Sequence, residues 1–351
     1  MLKIPARSST DTLTVGLDIG YGAVKALTAD ATIIFPSVCG HAREIKFQAD
    51  EIAARHPGDQ IHDDDGLWFL GDLALVQLPP GELLRLRGRT ADEATMGNVF
   101  RARLAKAALG KLLMGKRDEQ AVHVRLACGL PVDHMADAPD LKAALLGQHR
   151  IRTDAADFVA NVTDVMVMPQ PQGTIYAQIL TETGEVNANH DYMRTGVCDV
   201  GTYTVDLALD DDGEFVDAES GSIEGGVSAV HERIAALLER EYRQKIPFKM
   251  IETALRTGKF RARGEVVDYS EAVQEALEPL RSATLNLMNE KWKTGTTIDV
   301  IYLTGGGAAL VYDAVAAAYP QATIVNQPQI ANARGYLNYA LFAQRQAALG
   351  N

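Results

Sequence analysis

The sequence predicts an α/β protein built from two related halves. Apolar, β-branched runs alternate with amphipathic segments of helical spacing along both halves of the chain. A second observation is an internal repeat: Asp18–Lys25 reads DIGYGAVK, and Asp199–Asp206, 181 positions later, reads DVGTYTVD. Each copy follows an apolar run and is therefore predicted to be a strand that ends on an acid and turns tightly. The length of 351 residues also fits two domains.

Composition narrows the class of function. A hydrophobic content of 47% and a charged content of 23% are typical of a soluble globular protein. The net charge of −12 disfavours a broad surface for the DNA backbone, which needs clustered Lys and Arg. No apolar run approaches the roughly 20 residues that span a bilayer, and the three cysteines are scattered and odd in number. We therefore expect a cytoplasmic protein with free thiols and no membrane partner.

In the first half, residues 1–11 are predicted to be a flexible N-terminal tail. Residues 12–187 are predicted to form the first domain, which a C-terminal helix, 332–351, completes. The stretch from about 39 to 95 is polar and rich in Gly, Pro and Asp clusters, so we expect an irregular insertion there. The pattern predicts a three-stranded start over 13–35, helices over 98–114 and 175–180, and strands over 121–127 and 162–168.

Residues 188–331 are predicted to form the second domain. It opens with the strand that leads into Asp199. The periodicity then predicts helices over 228–243 and 270–288, a buried strand over 298–303, and a helix over 308–318. The last helix, predicted over 332–348, is the one that completes the first domain. The strand over 298–303 runs directly into Gly305-Gly306-Gly307.

The first repeated turn has the chemistry of a phosphate site. Gly20 and Gly22, on either side of Tyr21, allow backbone N–H groups to approach a phosphate closely, which a Cβ hinders. Lys25 can bring a positive charge to the β- or γ-phosphate. Asp18, at the strand end, can hold Mg²⁺ through water, because Mg²⁺ dehydrates reluctantly. Taken alone, this turn also fits an ordinary β-hairpin.

The second turn strengthens the prediction. Asp199 offers a second carboxylate for the metal or its waters. Gly201, Thr202 and Tyr203 offer backbone groups to the same phosphates, and Thr204 adds a hydroxyl. Asp206 has two open interpretations, a member of the site or a structural acid at a strand edge. Together the two turns predict a clamp on one phosphate chain.

The Gly305–Gly307 turn, between a strand and a helix, can pass a nucleotide close to the backbone, or it can serve close packing of helix on strand. The Gly-x-Gly-x-x-Gly pattern of dinucleotide sites is absent from this turn. The sequence therefore favours a mononucleotide over NAD.

These pieces resemble, in order, the nucleotide site of the actin-like ATPase superfamily. Asp18–Lys25 resembles its first phosphate motif, Asp199–Asp206 its second, and Leu303–Leu310 its adenosine motif. Residues 129–132 with 169–178, and residues 331–340, resemble the regions that bracket and connect the two domains in this superfamily. Within the superfamily the chain is most similar to the bacterial plasmid-segregation actins, the ParM/StbA group.

The resemblance implies an actin-like, ribonuclease H-like duplicated fold of two domains with a nucleotide cleft between them. It implies ATP, or alternatively GTP, bound with Mg²⁺, and Gly225 and Gly226 in the loop at the sugar or base. It also implies self-association into polar filaments whose hydrolysis of ATP destabilises the polymer, for plasmid or DNA segregation. The expected partner is a DNA-bound adaptor protein rather than DNA itself.

The resemblance places the hydrolytic residue at the start of the first connecting helix. Gln170 lies six residues before Tyr176, which matches the family spacing, and Gln172 is the reserve candidate. A Gln is no strong base, so its role would be to orient water towards the γ-phosphate. Pro171 departs from the actin pattern and leaves the register between the two glutamines open.

Two other functions share the predicted fold. One is a nucleotide-binding adaptor or scaffold of the pilus or cell-division type, with little hydrolysis. The other is a small-molecule kinase, which needs a general base for its substrate hydroxyl, usually an Asp near the first connecting region. This chain has glutamines there, which disfavours the kinase.

Overall fold

A computed structural model describes residues 12–86, 91–117, 121–188, 190 and 194–349, with the backbone alone for 91–96. The predicted tail, 1–11, lies outside the described residues. No helix in the described part of the chain is both long and apolar enough to cross a membrane. The chain forms two compact units, 1–191 with 330–351, and 192–329.

The first unit alternates strands and helices. Its strands are β1 (Leu13–Ile19), β2 (Ala23–Leu27), β3 (Thr32–Pro36), β4 (Cys39–His41), β5 (Gln60–Asp63), β6 (Gly66–Leu70), β7 (Val122–Leu130), β8 (Gly147–Arg152) and β9 (Asp157–Pro169). Its helices are α1 (Ala49–Arg55), α2 (Gly71–Gln77), α3 (Ala91–Leu112), α4 (Ala138–Leu145) and α5 (Gln170–Ile179).

The second unit holds strands β10 (Arg194–Val200), β11 (Thr204–Asp211), β12 (Glu214–Phe215), β13 (Gly221–Glu224), β14 (Lys259–Ala262), β15 (Glu265–Asp268), β16 (Val300–Thr304) and β17 (Ala322–Ile324). Its helices are α6 (Val227–Tyr242), α7 (Phe248–Thr257), α8 (Ser270–Trp292) and α9 (Ala308–Ala318). The last helix, α10 (Ala331–Leu349), belongs to the first unit.

The main sheet of the first unit has the order β3-β2-β1-β7-β9-β8. Every residue of β1 is buried, as is usual for a strand at the centre of a sheet covered on both faces. Helix α10 packs directly on this strand. A Cβ at Gly16 would lie 2.0 Å from the carbonyl oxygen of Ala333, so only glycine allows this approach of helix to strand.

The described part of the insertion over 39–95 consists largely of regular strands and helices, so the expectation of an irregular insertion is wrong. Strands β4, β6 and β5 form a three-stranded sheet, and α1 and α2 flank it. Val38, Phe69 and Leu73 contribute to a separate apolar cluster in this region. The Asp-rich stretch is the tight turn of a hairpin in which Asp63 pairs with Gly66. Its composition reflects turn chemistry rather than missing structure.

The sheet of the second unit repeats the centre of the first. Its order is β12-β11-β10-β16-β17, with β13 also paired to β11. Strand β10 lies between antiparallel β11 and parallel β16, as β1 lies between antiparallel β2 and parallel β7. The registers match as well, since Asp18 faces Lys25 and Asp199 faces Asp206. The predicted duplicated α/β fold is therefore confirmed.

Two helices begin well before their predicted starts: α3 begins at Ala91, seven residues before the predicted start, and α5 also begins early. Helix α5 begins at Gln170, five residues before the predicted start, with Pro171 inside its first turn. Proline is tolerated there because the first N–H groups of a helix have no partner within the helix. The first turn carries few apolar side chains, so periodicity did not reveal it. Helices α4 and α7 and strands β8, β14 and β15 were not predicted.

Candidate functional site

In the first unit, three predicted residues meet at the carboxylate of Asp18. This side chain is 4% exposed, at the end of β1. Lys25 Nζ lies 2.9 Å from Asp18 Oδ2, and Gln170 Nε2 donates a hydrogen bond to Oδ1 at 3.2 Å. The acid, the cation and the candidate hydrolytic amide thus form one connected group. Gln172 occupies the third position of α5, and the structure records no comparable contact of its side chain with Asp18 among the described residues.

The turn that contains Gly20, Tyr21 and Gly22 is fixed by residues that the sequence did not single out. Ser37 Oγ donates to the carbonyl of Gly20 at 2.5 Å, and the N–H of Ser37 donates to the carbonyl of Gly22 at 3.1 Å. Tyr21 Oη lies 3.5 Å from His134 Nδ1. The residues that hold the turn lie elsewhere in the chain, so the sequence of the turn alone could not predict these contacts.

The start of α5 is anchored by α10. Tyr336 Oη donates to the carbonyl of Gln170 at 3.2 Å. Asn332 Oδ1 accepts from Thr174, at 3.1 Å from its N–H and 2.7 Å from its hydroxyl. A Cβ at Gly335 would meet the carbonyl of Gly173 at 1.6 Å, so the two helices touch through their backbones. Positioning of Gln170 therefore depends on the C-terminal helix.

The second unit carries the second predicted group, at the end of β10. Asp199 is 8% exposed, and Asp206 lies opposite it on β11 with 2% exposure. Thr204 Oγ1 donates to Asp206 Oδ2 at 2.7 Å. The hydroxyl of Thr204, predicted to contact phosphate, is thus engaged by Asp206. This contact favours a structural role for Asp206 within the turn.

The glycine segments predicted from separate parts of the sequence converge on this turn. The N–H of Gly225 donates to the carbonyl of Tyr203 at 2.7 Å, and the N–H of Ser228 donates to the carbonyl of Thr202 at 2.7 Å. A Cβ at Gly226 would lie 2.3 Å from the carbonyl oxygen of Gly201. The loop before α6 therefore packs closely against the Gly201 turn and is hydrogen-bonded to it.

The third glycine turn packs against Asp199 itself. Gly305 has a φ of +83°, and a Cβ there would lie 2.2 Å from Asp199 Oδ1. The N–H of Gly307 donates to the carbonyl of Val200 at 2.9 Å, and a Cβ at Gly307 would press on Val200 Cγ1 at 2.5 Å. A Cβ at Gly306 would meet nothing within 4 Å. Gly305 and Gly307 serve packing, whereas Gly306 borders open space.

These residues fit a phosphate ligand and Mg²⁺ in their chemistry. Helices α5, α6 and α9 begin at Gln170, Val227 and Ala308, next to the acid-bearing turns, and helix N-termini favour anions. Asp18 and Asp199 are hard oxygen donors. Within the described ranges no three or more His, Cys, Asp or Glu side chains cluster as a metal site. Each of these carboxylates by itself suits Mg²⁺, which usually keeps several waters and takes one or two carboxylates.

The cysteines take no part in this chemistry. Cys39, Cys128 and Cys198 are free and buried. Burial raises the pKa of Cys39 to about 11 and that of Cys128 to about 12. Burial also raises the pKa of Cys198, and the nearby Asp199 and Asp206 raise it further. All three thiols are protonated at neutral pH and are poor nucleophiles.

Two family models match the chain. Residues 16–173 match the N-terminal domain of actin-like proteins, and residues 197–317 match the C-terminal domain of the MreB-like archaeal actin homologue. No curated protein sequence is significantly similar to this chain.

Several solved structures share the fold. A 15-stranded ParM filament from Clostridium botulinum is 20% identical, with a TM-score of 0.75 over 94% of this chain and 99% of that chain. The archaeal actin homologue Ta0583 in complex with ADP is 20% identical, with a TM-score of 0.71 and the same coverage of both chains. The Alp12 filament structure is 16% identical, with a TM-score of 0.65 over 96% of this chain and all of that chain.

The duplicated hairpins and the matched folds define a protein of the actin-like class. The two family models together span most of the chain, from residue 16 to residue 317. Both halves of the chain thus match family models of actin-like proteins, and its fold resembles that of the ParM filament subunit.

Proposed function

We propose that this chain is a filament-forming ATPase that binds and hydrolyses ATP with Mg²⁺ and acts in plasmid or DNA segregation. The observation that carries the proposal is the group formed by Asp18, Lys25 and Gln170. In this group an acid contacts a cation and a side-chain amide beside the Gly20 turn, the residue types that phosphate binding and orientation of a water would need. The equivalent hairpin at Asp199, in the same register, supplies a second acid.

Each residue has a distinct part in the proposed reaction. Lys25 neutralises phosphate charge, and the backbone of the Gly20 and Gly201 turns holds the phosphate oxygens. Gln170 accepts a hydrogen bond from the attacking water and directs it towards the γ-phosphate. Asp18 and Asp199 would hold the waters of Mg²⁺, and the ion would supply positive charge to stabilise the phosphoryl group. Most of the catalytic effect is therefore positioning and electrostatic stabilisation.

Self-association and segregation are inferred from the relatives. Two of the similar structures are filaments, of ParM and of Alp12, and a third contains ADP. Head-to-tail subunit contacts that do not close into a ring generate such filaments. A DNA-bound adaptor protein is the partner that suits an acidic chain, because its net charge of −12 opposes direct contact with DNA phosphates.

The test is nucleotide-dependent assembly of the purified protein. We expect ATP with Mg²⁺ to raise light scattering and to yield polymer that pellets, with phosphate release following assembly. ADP, ATP with EDTA, and GTP with Mg²⁺ are run in parallel to resolve nucleotide preference. Nucleotide binding without assembly at any protein or salt concentration would contradict the filament proposal and favour the adaptor function.

A further inference from the structure

The second unit carries a strongly acidic surface at the far end of β11 from the Gly201 turn. Residues 210–219, here named the acidic patch, contain six acids and no Lys or Arg. Arg194 pairs with Asp211 at 3.0 Å and with Glu219 at 2.5 Å. Asp212 and Asp217 are exposed, and neither makes an ion pair with any described residue. Net negative charge thus remains on this surface, around a concavity that Phe215 lines.

The same unit carries a basic surface on α7 and the β14–β15 hairpin. Residues 243–268, here named the basic patch, contain seven Lys or Arg against three acids, Glu252, Glu265 and Asp268, in a chain whose net charge is −12. Arg261 and Arg263 are exposed at a concavity of about 290 Å³ that Met250 also lines. Val266 is 56% exposed on the paired strand. This surface combines cations with exposed apolar side chains.

Helix α8 separates the two patches. Its first residue, Ser270, follows the β14–β15 hairpin, and the N–H of Tyr269 donates to the carbonyl of Gly258 at 2.7 Å. Its last residue, Trp292, donates from Nε1 to the carbonyl of Glu219 at 2.8 Å. A helix of 23 residues is about 34 Å long at 1.5 Å per residue. The patches therefore do not meet within one subunit.

We propose that the acidic patch of one copy binds the basic patch of the next copy. This inference rests on the proposed filament function and names the surfaces that would join its subunits. Opposite charge is complementary in this contact, whereas two acidic or two basic patches repel each other. Because the two surfaces are different, the contact is head to tail and leaves one patch of each kind free at the ends, so it propagates. Phe215 and Met250 supply the apolar centre that charged rims usually surround.

The test reverses two charges in each patch and then mixes the variants. D212K/D217K changes the net charge from −12 to −8, and R261E/R263E changes it from −12 to −16. We expect each variant alone to need at least about a tenfold higher concentration to assemble with ATP and Mg²⁺. In a mixture, the intact acidic patch of one variant meets the intact basic patch of the other. The two substituted patches also meet, and their new Lys and Glu side chains are again opposite in sign. The mixture should therefore pellet near the wild-type concentration, with the two variants, labelled with different dyes, in equal amounts.

The controls separate a local effect from a general one. K142E/R152E reverses two exposed cations of the first unit and also gives a net charge of −16. It should assemble like the wild type. Circular dichroism and nucleotide affinity of each variant monitor folding. If a reversed variant does not fold, the neutral pairs D212N/D217N and R261Q/R263Q replace it, and each should raise the critical concentration.

Each outcome decides the proposal. Loss of assembly in both single-patch variants and its recovery on mixing support it. A patch variant that assembles like the wild type, or two folded variants that stay monomeric when mixed, overturns this interface and leaves the ATPase filament proposal standing. A wild-type protein that never assembles overturns both the interface and the filament proposal.

Discussion

Asp18 and Lys25 face each other across the β1–β2 hairpin and form an ion pair of 2.9 Å. The corresponding residues of the second hairpin, Asp199 and Asp206, face each other in the same register and are both acids. Only in the first hairpin, therefore, does the residue opposite the acid carry a positive charge. In the proposed function, this asymmetry gives the first hairpin a cation for phosphate, whereas the second hairpin carries acids alone at the two matching positions.

Removal of the Lys25 charge tests the first side. Lys25→Met keeps the aliphatic stem, and we expect the dissociation constant for ATP to rise at least about tenfold, since a partly desolvated cation contributes 1.4 kcal/mol or more to a phosphate contact. Titration of a fluorescent ATP analogue measures this. Lys111→Met is the matched control, because Lys111 is similarly buried and pairs with Asp59 at 2.6 Å. The control should lose stability without a change in affinity, and equal affinities for the two variants would contradict the role of Lys25.

Gln170 and Gln172 are separated by their effects on hydrolysis. Gln170→Ala removes the amide that contacts Asp18, and we expect phosphate release to slow by about tenfold or more, because the attacking water loses its orientation. Assembly should persist, since binding of ATP does not need this amide. Gln172→Ala should hydrolyse at the wild-type rate. Phosphate release and pelleting are measured on the same samples, and the opposite pattern would assign the role to Gln172.

Asp199 is tested by truncation. We expect Asp199→Ala to abolish phosphate release while circular dichroism and the unfolding transition remain close to those of the wild type, because the acid lies at a strand end beside the glycine turn. Asp313→Ala, which removes an exposed acid of α9, serves as the control with full activity. Undiminished hydrolysis by Asp199→Ala would remove this residue from the site.

The adjacent glycines Gly305 and Gly306 predict opposite outcomes for the same substitution. Gly305→Ala places a Cβ 2.2 Å from Asp199 Oδ1 at a positive φ, so we expect a loss of about 2–4 kcal/mol of unfolding free energy. Gly306→Ala meets no atom within 4 Å and should leave stability within about 0.5 kcal/mol of the wild type. Urea denaturation compares them. Reduced nucleotide affinity of the stable Gly306→Ala would place the ligand beside this turn.

The sequence alone predicted contacts between residues close together in the chain, and it did not predict contacts between residues far apart. A spacing of seven residues around a tight turn is enough to oppose Asp18 and Lys25, so the hairpins could be recognised from pattern alone. The contact of Gln170 with Asp18 spans 152 positions, and only the family resemblance pointed to that residue. Ser37 and Tyr336 act through hydrogen bonds to distant backbone carbonyls, for which a single sequence carries no signal.

The insertion offers a pH-dependent prediction through Asp63, which accepts from Lys106 Nζ at 2.9 Å and from Arg103 Nε at 3.0 Å. Burial favours a higher pKa for the Asp63 carboxyl, but the hydrogen bond and charge of Lys106, together with Arg103, lower it below its usual value. A lowered pKa in the folded state means that the ionised carboxylate stabilises the fold above the unfolded-state pKa, near 4, and that this contribution is lost as the pH falls further.

We therefore expect Asp63→Asn to cost about 3 kcal/mol of unfolding free energy at pH 7, because Arg103 and Lys106 lose the carboxylate that they share. The nearly buried Arg103 then keeps only its longer ion pair, of 3.3 Å, with the exposed Asp65. The difference from the wild type should shrink as the pH falls below about 4, where the wild-type carboxyl also becomes neutral. Urea denaturation at pH 7, 5, 4 and 3 measures it. Asp64→Asn, at the neighbouring exposed acid, is the control and should follow the wild type throughout. A cost for Asp63→Asn that is constant from pH 7 to pH 3 would show that the loss arises from altered packing rather than from the charge of Asp63.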